Sequence, residues 1–382
     1  MRCSRAFIHL DHLRHNLSAM RDCIDAKTKM CLAVKANAYG HGAVEISREA
    51  VSFGVDYLAV ATAAEGLELR AAGIDTPILL LIPPPKVEIP AILENHISSV
   101  VIDTGKIGIF QHAARKIGIK ANLHLKIDTG MGRIGCNPRA SKDLALYIER
   151  AAELTLEGVC THFAAADNAL SDFTREQITL FDGCLSSIRD AGIEPGIIHA
   201  ANSGAMLAFP QARYDMVRPG ILAYGYMPSD SMANSIGVRP LMELRSKIIQ
   251  IKKVSAGTPL SYGLTYITAR DTHIGTVAIG YADGYNRGLS NRGSALISGR
   301  RYPVVGTVCM DQLLIDLGET LRVTEDDEVT LFGPDCGAPD AAEIARLTGT
   351  IPYEVICGID SRVPREYLNP SPFRARGTPD SE

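Results

Sequence analysis

The chain has 382 residues, 46% hydrophobic and 21% charged, with 39 basic against 43 acidic side chains and a formal net charge of -4. That length suits about two domains with a sizeable core, and the composition excludes disorder, collagen and coiled coil. The near-neutral balance argues against nucleic acid or a membrane surface as a partner, and the apolar run from Pro77 to Ile82 is too short to span a bilayer.

The opening residues Met1–Arg5 lead into no apolar stretch, so no export signal is expected. Nine scattered cysteines without a C-x-x-C pair fit reduced thiols in a cytoplasmic enzyme. Residues 1–10 contain the run Phe7-Ile8-His9-Leu10, predicted as a strand that joins a later domain. His9, His12 and His15 tempt a metal reading, but Asp11 looks like a helix N-cap, so the three do not share one helical face. A polar helix surface is expected there, with no metal.

From residue 11 to 228, eight short apolar runs alternate with helical periodicity: 31–35, 57–61, 78–82, 99–102, 122–127, 156–162, 197–200 and 216–222. Continuous Val, Ile, Leu and Ala content is what parallel strands covered on both faces require. Helices are predicted between them at 63–72, 141–153 and 174–191. Eight repeats in about 200 residues fit a TIM-type barrel, with an open doubly wound sheet as the rival. The fold class is therefore read as α/β: an N-terminal (β/α)8 barrel followed by a mostly β C-terminal domain over 229–370. The Val-, Ile- and Thr-rich runs 241–254, 274–279, 295–297, 303–317 and 328–332 supply that domain, with one late helix at 341–347. Residues 371–382 are expected to form a flexible tail.

One stretch misleads. Gly130-Met131-Gly132-Arg133-Ile134-Gly135 satisfies G-x-G-x-x-G, yet Asn137-Pro138 interrupts the helix that a dinucleotide fold needs there. A glycine-rich loop passing close to something is the plainer reading.

Barrel enzymes take their chemistry from the C-terminal ends of the strands. Those positions hold Lys35, Lys126, Asp128, Arg133, His162, Asn202, Ser203 and Arg218. A lysine ending an apolar strand either snorkels to solvent or pairs with a carboxylate, or has its pKa depressed so that the amine can form a Schiff base. The turn Asn202-Ser203-Gly204 can present backbone N–H groups to a phosphate, which tilts the choice toward pyridoxal 5'-phosphate.

The decamer from Ala33 to Gly42 resembles the cofactor-lysine motif of alanine racemases. Leu125–Arg133, Thr161–Ala164, Arg218-Pro219-Gly220, Ser261-Tyr262-Gly263, Gly280–Gly284, Met310-Asp311 and Tyr353-Glu354 resemble further motifs of that family, in the same order and over nearly the whole chain. The resemblance implies pyridoxal phosphate, alanine as substrate and a homodimer whose β domain closes over the partner's barrel mouth. It implies that Lys35 and Tyr262 are the two acid/base groups, one on each face. It implies that His162 and Arg218 stabilise the Tyr262 phenolate, because an unperturbed tyrosine near pKa ~10 is a poor base. Arg218 would face the pyridine nitrogen, and Arg133 the substrate carboxylate. Lys126 matches a lysine that is often carbamylated; a plain lysine paired with Asp128 or a bound anion is the alternative. Tyr39, Ser203, Gly220, Ile221 and Tyr353 match the phosphate-binding set, and Met310 would offer its backbone N–H to substrate. The function implied is L-/D-alanine interconversion supplying peptidoglycan synthesis. A broad-specificity or serine racemase and a non-catalytic pyridoxal phosphate carrier are the alternatives.

Overall fold

In the computed structural model, which describes residues 3–168, 171–232 and 235–371, the chain opens with strand β1 (Arg5–His9) and the helix Leu10–Asp22. Eight parallel strands then close into a barrel: β2 (Lys29–Ala33), β3 (Tyr57–Val60), β4 (Ile78–Leu80), β5 (Ile97–Val101), β6 (Ala121–Lys126), β7 (Leu154–Cys160), β8 (Ile197–His199) and β9 (Met216–Val217). Because β2 pairs with both β3 and β9, the sheet has no edge and the open-sheet rival is excluded.

Period-two alternation sorts each strand into two layers. Leu32, Leu58, Ile78, Leu80, Leu123, Leu125 and Val159 point outward into a core shared with helix residues such as Ile46, Leu69, Ile107, Phe110 and Phe181. Cys31, Tyr57, Ala59, Leu79, Val100, Cys160 and Met216 fill the barrel interior. Helix starts follow local chemistry. Thr62 and Glu65 form a capping box before Ala63–Ala71, and Asp103 accepts from the Lys106 N–H before Thr104–Ile117.

The second unit is built from β10 (Met242–Val254), β11 (Pro259–Leu260), β12 (Tyr266–Ile267), β13 (Thr272–Val277), β14 (Ser294–Ile297), β15 (Arg300–Val305), β16 (Leu313–Gly318), β17 (Glu328–Phe332) and β18 (Arg365–Leu368). Its main sheet runs β13-β16-β15-β14-β17-β10-β1-β18, and β13 also pairs with β10, closing a ring of six strands. β1 lies antiparallel to β10 and parallel to β18, so the first strand belongs to this sheet and not to the barrel. The single run expected over 303–317 is split. β15 ends at Val305, Gly306 turns at φ +73 against the Ser261 side chain, and residues 306–312 form a loop.

The three histidines near the start bind the connection between the two units. His12 Nδ1–H donates to Pro240 O and His15 Nε2–H to Gly237 O, each at 2.8 Å, while His9 Nε2 meets Glu243 at 3.3 Å. Buried Asn16 adds bonds to Ala223 O, Arg239 O and Arg239 N. His9 itself is the N-cap, one residue before the helix and two before Asp11, which lies in the first turn. All nine cysteines are free thiols. Among the described residues no helix is long and apolar enough to cross a membrane. The expected tail beyond Ser371 lies outside the described residues.

Candidate active site

β2 ends at Ala33, two residues short of the predicted strand end, and Lys35 opens a left-handed turn. Ala36, Asn37, Ala38 and Tyr39 all have φ between +51 and +54, a conformation costing a non-glycine residue about 1–2 kcal/mol. Four hydrogen bonds hold it. The Ala36 N–H donates to Glu65 Oε1 at 2.7 Å, the Ala43 N–H to Asn37 Oδ1 at 2.8 Å, and buried His41 donates from Nδ1 to the carbonyls of Ala38 and Tyr39 at 3.0 and 2.9 Å. Gly40 and Gly42 continue at positive φ. A Cβ on Gly40 would lie 2.3 Å from Ile356 O, and one on Gly42 would lie 1.9 Å from the Tyr367 hydroxyl. The Tyr-Gly-His-Gly segment is thus a strained, tightly packed mount for Lys35 and Tyr39.

Above this turn lies a cavity of about 600 Å³ whose lining includes Lys35, Tyr39, Arg133, His162, Asn202, Ser203, Arg218, Gly220, Ile221 and Tyr353. At one end, Tyr39 stacks on Tyr224 with ring centres 4.6 Å apart and lies 6.0 Å from Tyr353. The Gly220 N–H donates to Ser203 Oγ at 2.9 Å, and a Cβ on Gly220 would come within 2.6 Å of the Tyr39 hydroxyl. Asn202 spends its side-chain oxygen on the Ala205 N–H at 3.0 Å, capping the turn that carries Ser203. Three permanent or potential cations (Lys35, Arg133 and Arg218) face one carboxylate, Asp167, so the cavity suits an anion whose oxygens take hydroxyl and N–H donors.

Arg218 is buried at the barrel axis and donates to His199 Nδ1 (2.6 Å), Thr161 O (2.7 Å), Ala200 O (3.0 Å) and His162 Nδ1 (3.4 Å). Burial lowers its pKa, yet a guanidinium stays protonated. Burial first, then the charges of Arg218, Lys126, Arg133 and Lys35, hold His162 well below the usual imidazole range. The positive charge expected from His162 and Arg218 together therefore comes from Arg218, with His162 a neutral hydrogen-bonding group. Burial and then Arg133 also push the Lys35 amine down. Lys126 is shifted the same way, chiefly by burial and by Arg218, Arg133 and Lys35 against the opposing Cys160. Its Nζ donates to Leu81 O at 3.3 Å. Asp128 does not pair with it: Asp128 Oδ1 accepts from the N–H groups of Gly130 and Gly132, each at 3.0 Å. That closes the glycine-rich loop on itself, and the helix that follows starts beyond Asn137-Pro138.

Tyr262 and Met310 lie apart from this cavity. They are 73% and 52% exposed and line a separate hollow with Tyr281, Arg287 and Asp311. Ser261, beside Tyr262, holds φ +63 and ψ -179, a region almost reserved for glycine and costing about 1–3 kcal/mol. Its hydroxyl donates to Thr307 O at 2.6 Å, and the Thr307 hydroxyl donates to Tyr262 O at 2.8 Å. Arg362 bridges buried Asp283 and Asp311, and the N–H groups of Tyr281 and Ala282 donate to Cys309 O and Met310 O. The Tyr-Ala-Asp-Gly and Met-Asp segments are therefore one rigid unit.

Residues 8–228 match the family described as alanine racemase, N-terminal domain, and residues 241–367 match alanine racemase, C-terminal domain. The chain is 45% identical to an alanine racemase of Treponema denticola, covering 97% of this chain and 99% of that one. Against an alanine racemase structure from Clostridium difficile it reaches a TM-score of 0.92 at 40% identity, covering 96% of each chain. A Bacillus anthracis alanine racemase with bound L-Ala-P aligns with a TM-score of 0.90 at 36% identity, covering 97% of this chain and 96% of that one. The chain belongs to the alanine racemase family. It is accordingly an amino-acid racemase, an enzyme of the isomerase class.

Sequence reasoning did not pick out three polar groups beneath this racemase cavity: His199, His124 and Glu157. They sit on strands β8, β6 and β7 as isolated polar letters among apolar ones. Their signal is inward parity, His124 sharing a face with Lys126 two residues on. A register shift hides the parity of Glu157.

Proposed function

We propose that the chain interconverts L- and D-alanine with pyridoxal 5'-phosphate and two bases, Lys35 and Tyr262, in a homodimer with shared sites. One observation carries this reading. The ten residues matched to cofactor binding line one cavity, whereas Tyr262 and Met310 stand exposed in a separate hollow of the same chain. A site with both bases then needs a second copy, which brings Tyr262 to the first copy's Lys35.

The residues fit the cofactor. Tyr39, Ser203, Tyr353 and the Ile221 backbone offer donors and Gly220 a side-chain-free corner for a phosphate, and Lys35 offers an amine for an aldehyde. When bound, pyridoxal phosphate withdraws electrons from an attached amino acid and so acidifies its α-hydrogen. The chain's residues do the rest. Lys35, its amine pushed toward the neutral form, takes or returns the α-proton on one face, and the Tyr262 hydroxyl does so on the other. Arg218 can only donate, so a cofactor ring nitrogen held against it would stay unprotonated and the electron sink would be moderated, which would disfavour side reactions. Arg133 holds the substrate carboxylate, with the Met310 N–H as a second donor. D-alanine formed in this way serves peptidoglycan synthesis in the cytoplasm.

In deuterated water, L-alanine given to the loaded enzyme should yield D-alanine carrying deuterium at the α-carbon, with a higher initial rate than serine. A yellow, borohydride-reducible protein that forms no D-alanine would instead favour the carrier reading. Mixing the inactive variants Lys35→Ala and Tyr262→Phe should restore activity, because a heterodimer contains one intact site. No recovery despite demonstrated subunit exchange would sink the shared-site reading.

A further inference from the structure

Arg218 carries a full positive charge inside the barrel, and no carboxylate is among its hydrogen-bond partners in the described residues. A buried charge without a counter-charge is costly. What compensates it follows from the bonds beyond its first neighbour. His199 Nε2 lies 2.8 Å from His124 Nδ1, and His124 Nε2 lies 2.9 Å from Glu157 Oε2. Both imidazoles are fully buried, and the Glu157 side chain is 19% exposed. The Tyr57 hydroxyl donates to the other oxygen of Glu157 at 3.4 Å.

Donor and acceptor roles along this chain are fixed from one end. A guanidinium can only donate, so His199 Nδ1 accepts and its proton sits on Nε2. His124 Nδ1 must then accept that proton's hydrogen bond, which puts the His124 proton on Nε2, aimed at the carboxylate. Each ring thus shows its lone pair to the cation and its N–H to the anion. Two aligned dipoles link Arg218 to Glu157, and each bond polarises the next.

The backbone is shaped for this contact. Leu123 of β6 pairs with Leu156 of β7, but His124 pairs with Gly158, so Glu157 is an extra residue in the ladder. Bulges of this kind re-aim a side chain and are rare between parallel strands. A Cβ on Gly158 would stand 2.4 Å from His124 Nδ1 and 2.5 Å from Ile197 O. The neighbouring glycine is what leaves room for the His124 ring.

We propose that Glu157 is the remote counter-ion of Arg218 and that His124 and His199 are positioning residues which transmit its charge and fix the guanidinium at the cavity floor. The catalytic consequence rests on the racemase reading given above, in which Arg218 faces the cofactor; the relay itself does not. The relay is tested on the cofactor-free protein by 15N NMR of the histidine side chains. The expected result is that both rings carry their proton on Nε2 with Nδ1 bare. A proton on Nδ1 of either ring overturns the proposal, whether or not the protein racemises anything. The consequence is tested with Glu157→Gln, which keeps an acceptor for His124 and removes the charge. Its kcat for alanine should fall roughly tenfold, as expected for losing a charge-assisted bond, with KM within about twofold and a lower melting temperature, because the buried guanidinium loses its counter-charge. Wild-type turnover by folded Glu157→Gln overturns the role assigned to its charge. If Glu157→Gln does not fold, the wild-type tautomers still decide the relay. Absence of racemisation by the wild type defeats the functional reading alone.

Discussion

At Lys126, charge and burial conflict most directly. Its amine is buried among Arg218, Arg133 and Lys35, and its only partner among the described residues is the Leu81 carbonyl. These surroundings favour a neutral amine and, beyond that, an anion at the same place. A neutral lysine amine adds carbon dioxide by forming an N–C bond and releasing a proton, which produces such an anion. Protein held in 13C-bicarbonate should therefore show a carbamate carbon that disappears in Lys126→Met. That variant removes the anion from among Arg218, Arg133 and Lys35, so its unfolding free energy should fall by about 1–3 kcal/mol, while racemisation drops roughly tenfold. A parent spectrum without the carbamate carbon would return Lys126 to a plain lysine. Individual residues were legible where their message is local. The decamer around Lys35 reads directly because the turn is specified within ten residues. Glu157 does not, because its direction depends on a pairing shift with a strand more than thirty residues away in sequence.

Among the elements, the left-handed turn after β2 carries the most strain, and His41 is its clasp. Burial pushes His41 down to about 4, against the opposing pull of its bonds to the Tyr39 and Ala38 carbonyls. In the unfolded chain the same imidazole titrates near ~6.5. The folded pKa lies below the unfolded one, so between these values the unfolded state holds the extra proton. Stability is then unaffected above about pH 6.5 and falls as the pH drops toward about 4, by about 3 kcal/mol in total. His162 and His199, also pushed well below the usual range by burial, add losses of the same sign. Urea unfolding of the cofactor-free protein across that interval should show this decline. His41→Asn should be less stable at neutral pH but decline less steeply; an identical slope would mean that His41 is not held neutral. Element positions were readable from periodicity, since the barrel strands are mostly apolar runs covered on both faces. Element ends were not: the strand before Lys35 and the 303–317 run both break close to positive-φ residues, Ala36–Gly40 with Gly42 in one case and Gly306 in the other. Packing partners far away in sequence impose those conformations.

At the scale of the whole molecule, the shared site proposed above gives the two units separate tasks and requires two copies of the chain. The change of texture after Pro228 was visible in the composition. No periodicity, however, says that Tyr262 belongs to another copy's site; only the family resemblance implied it. The exposed face around Tyr262 also carries Leu264 and Ile267 on the β11–β12 hairpin, 60% and 62% exposed. Large apolar groups clustered with an exposed tyrosine beside strained Ser261 are what an interface core presents before it is covered. Leu264→Asp combined with Ile267→Asp should therefore sediment as a monomer, because two carboxylates would have to be desolvated without partners. The barrel cavity contains neither residue, so this variant should still bind pyridoxal phosphate through Lys35 and turn yellow. Its racemisation should fall by roughly 100-fold or more, since the second base is no longer delivered. Dilution of the unmodified enzyme should lower its specific activity in step with the loss of dimer. A monomer that binds the cofactor and still racemises alanine at the parental rate would place both bases within one chain and refute the shared site.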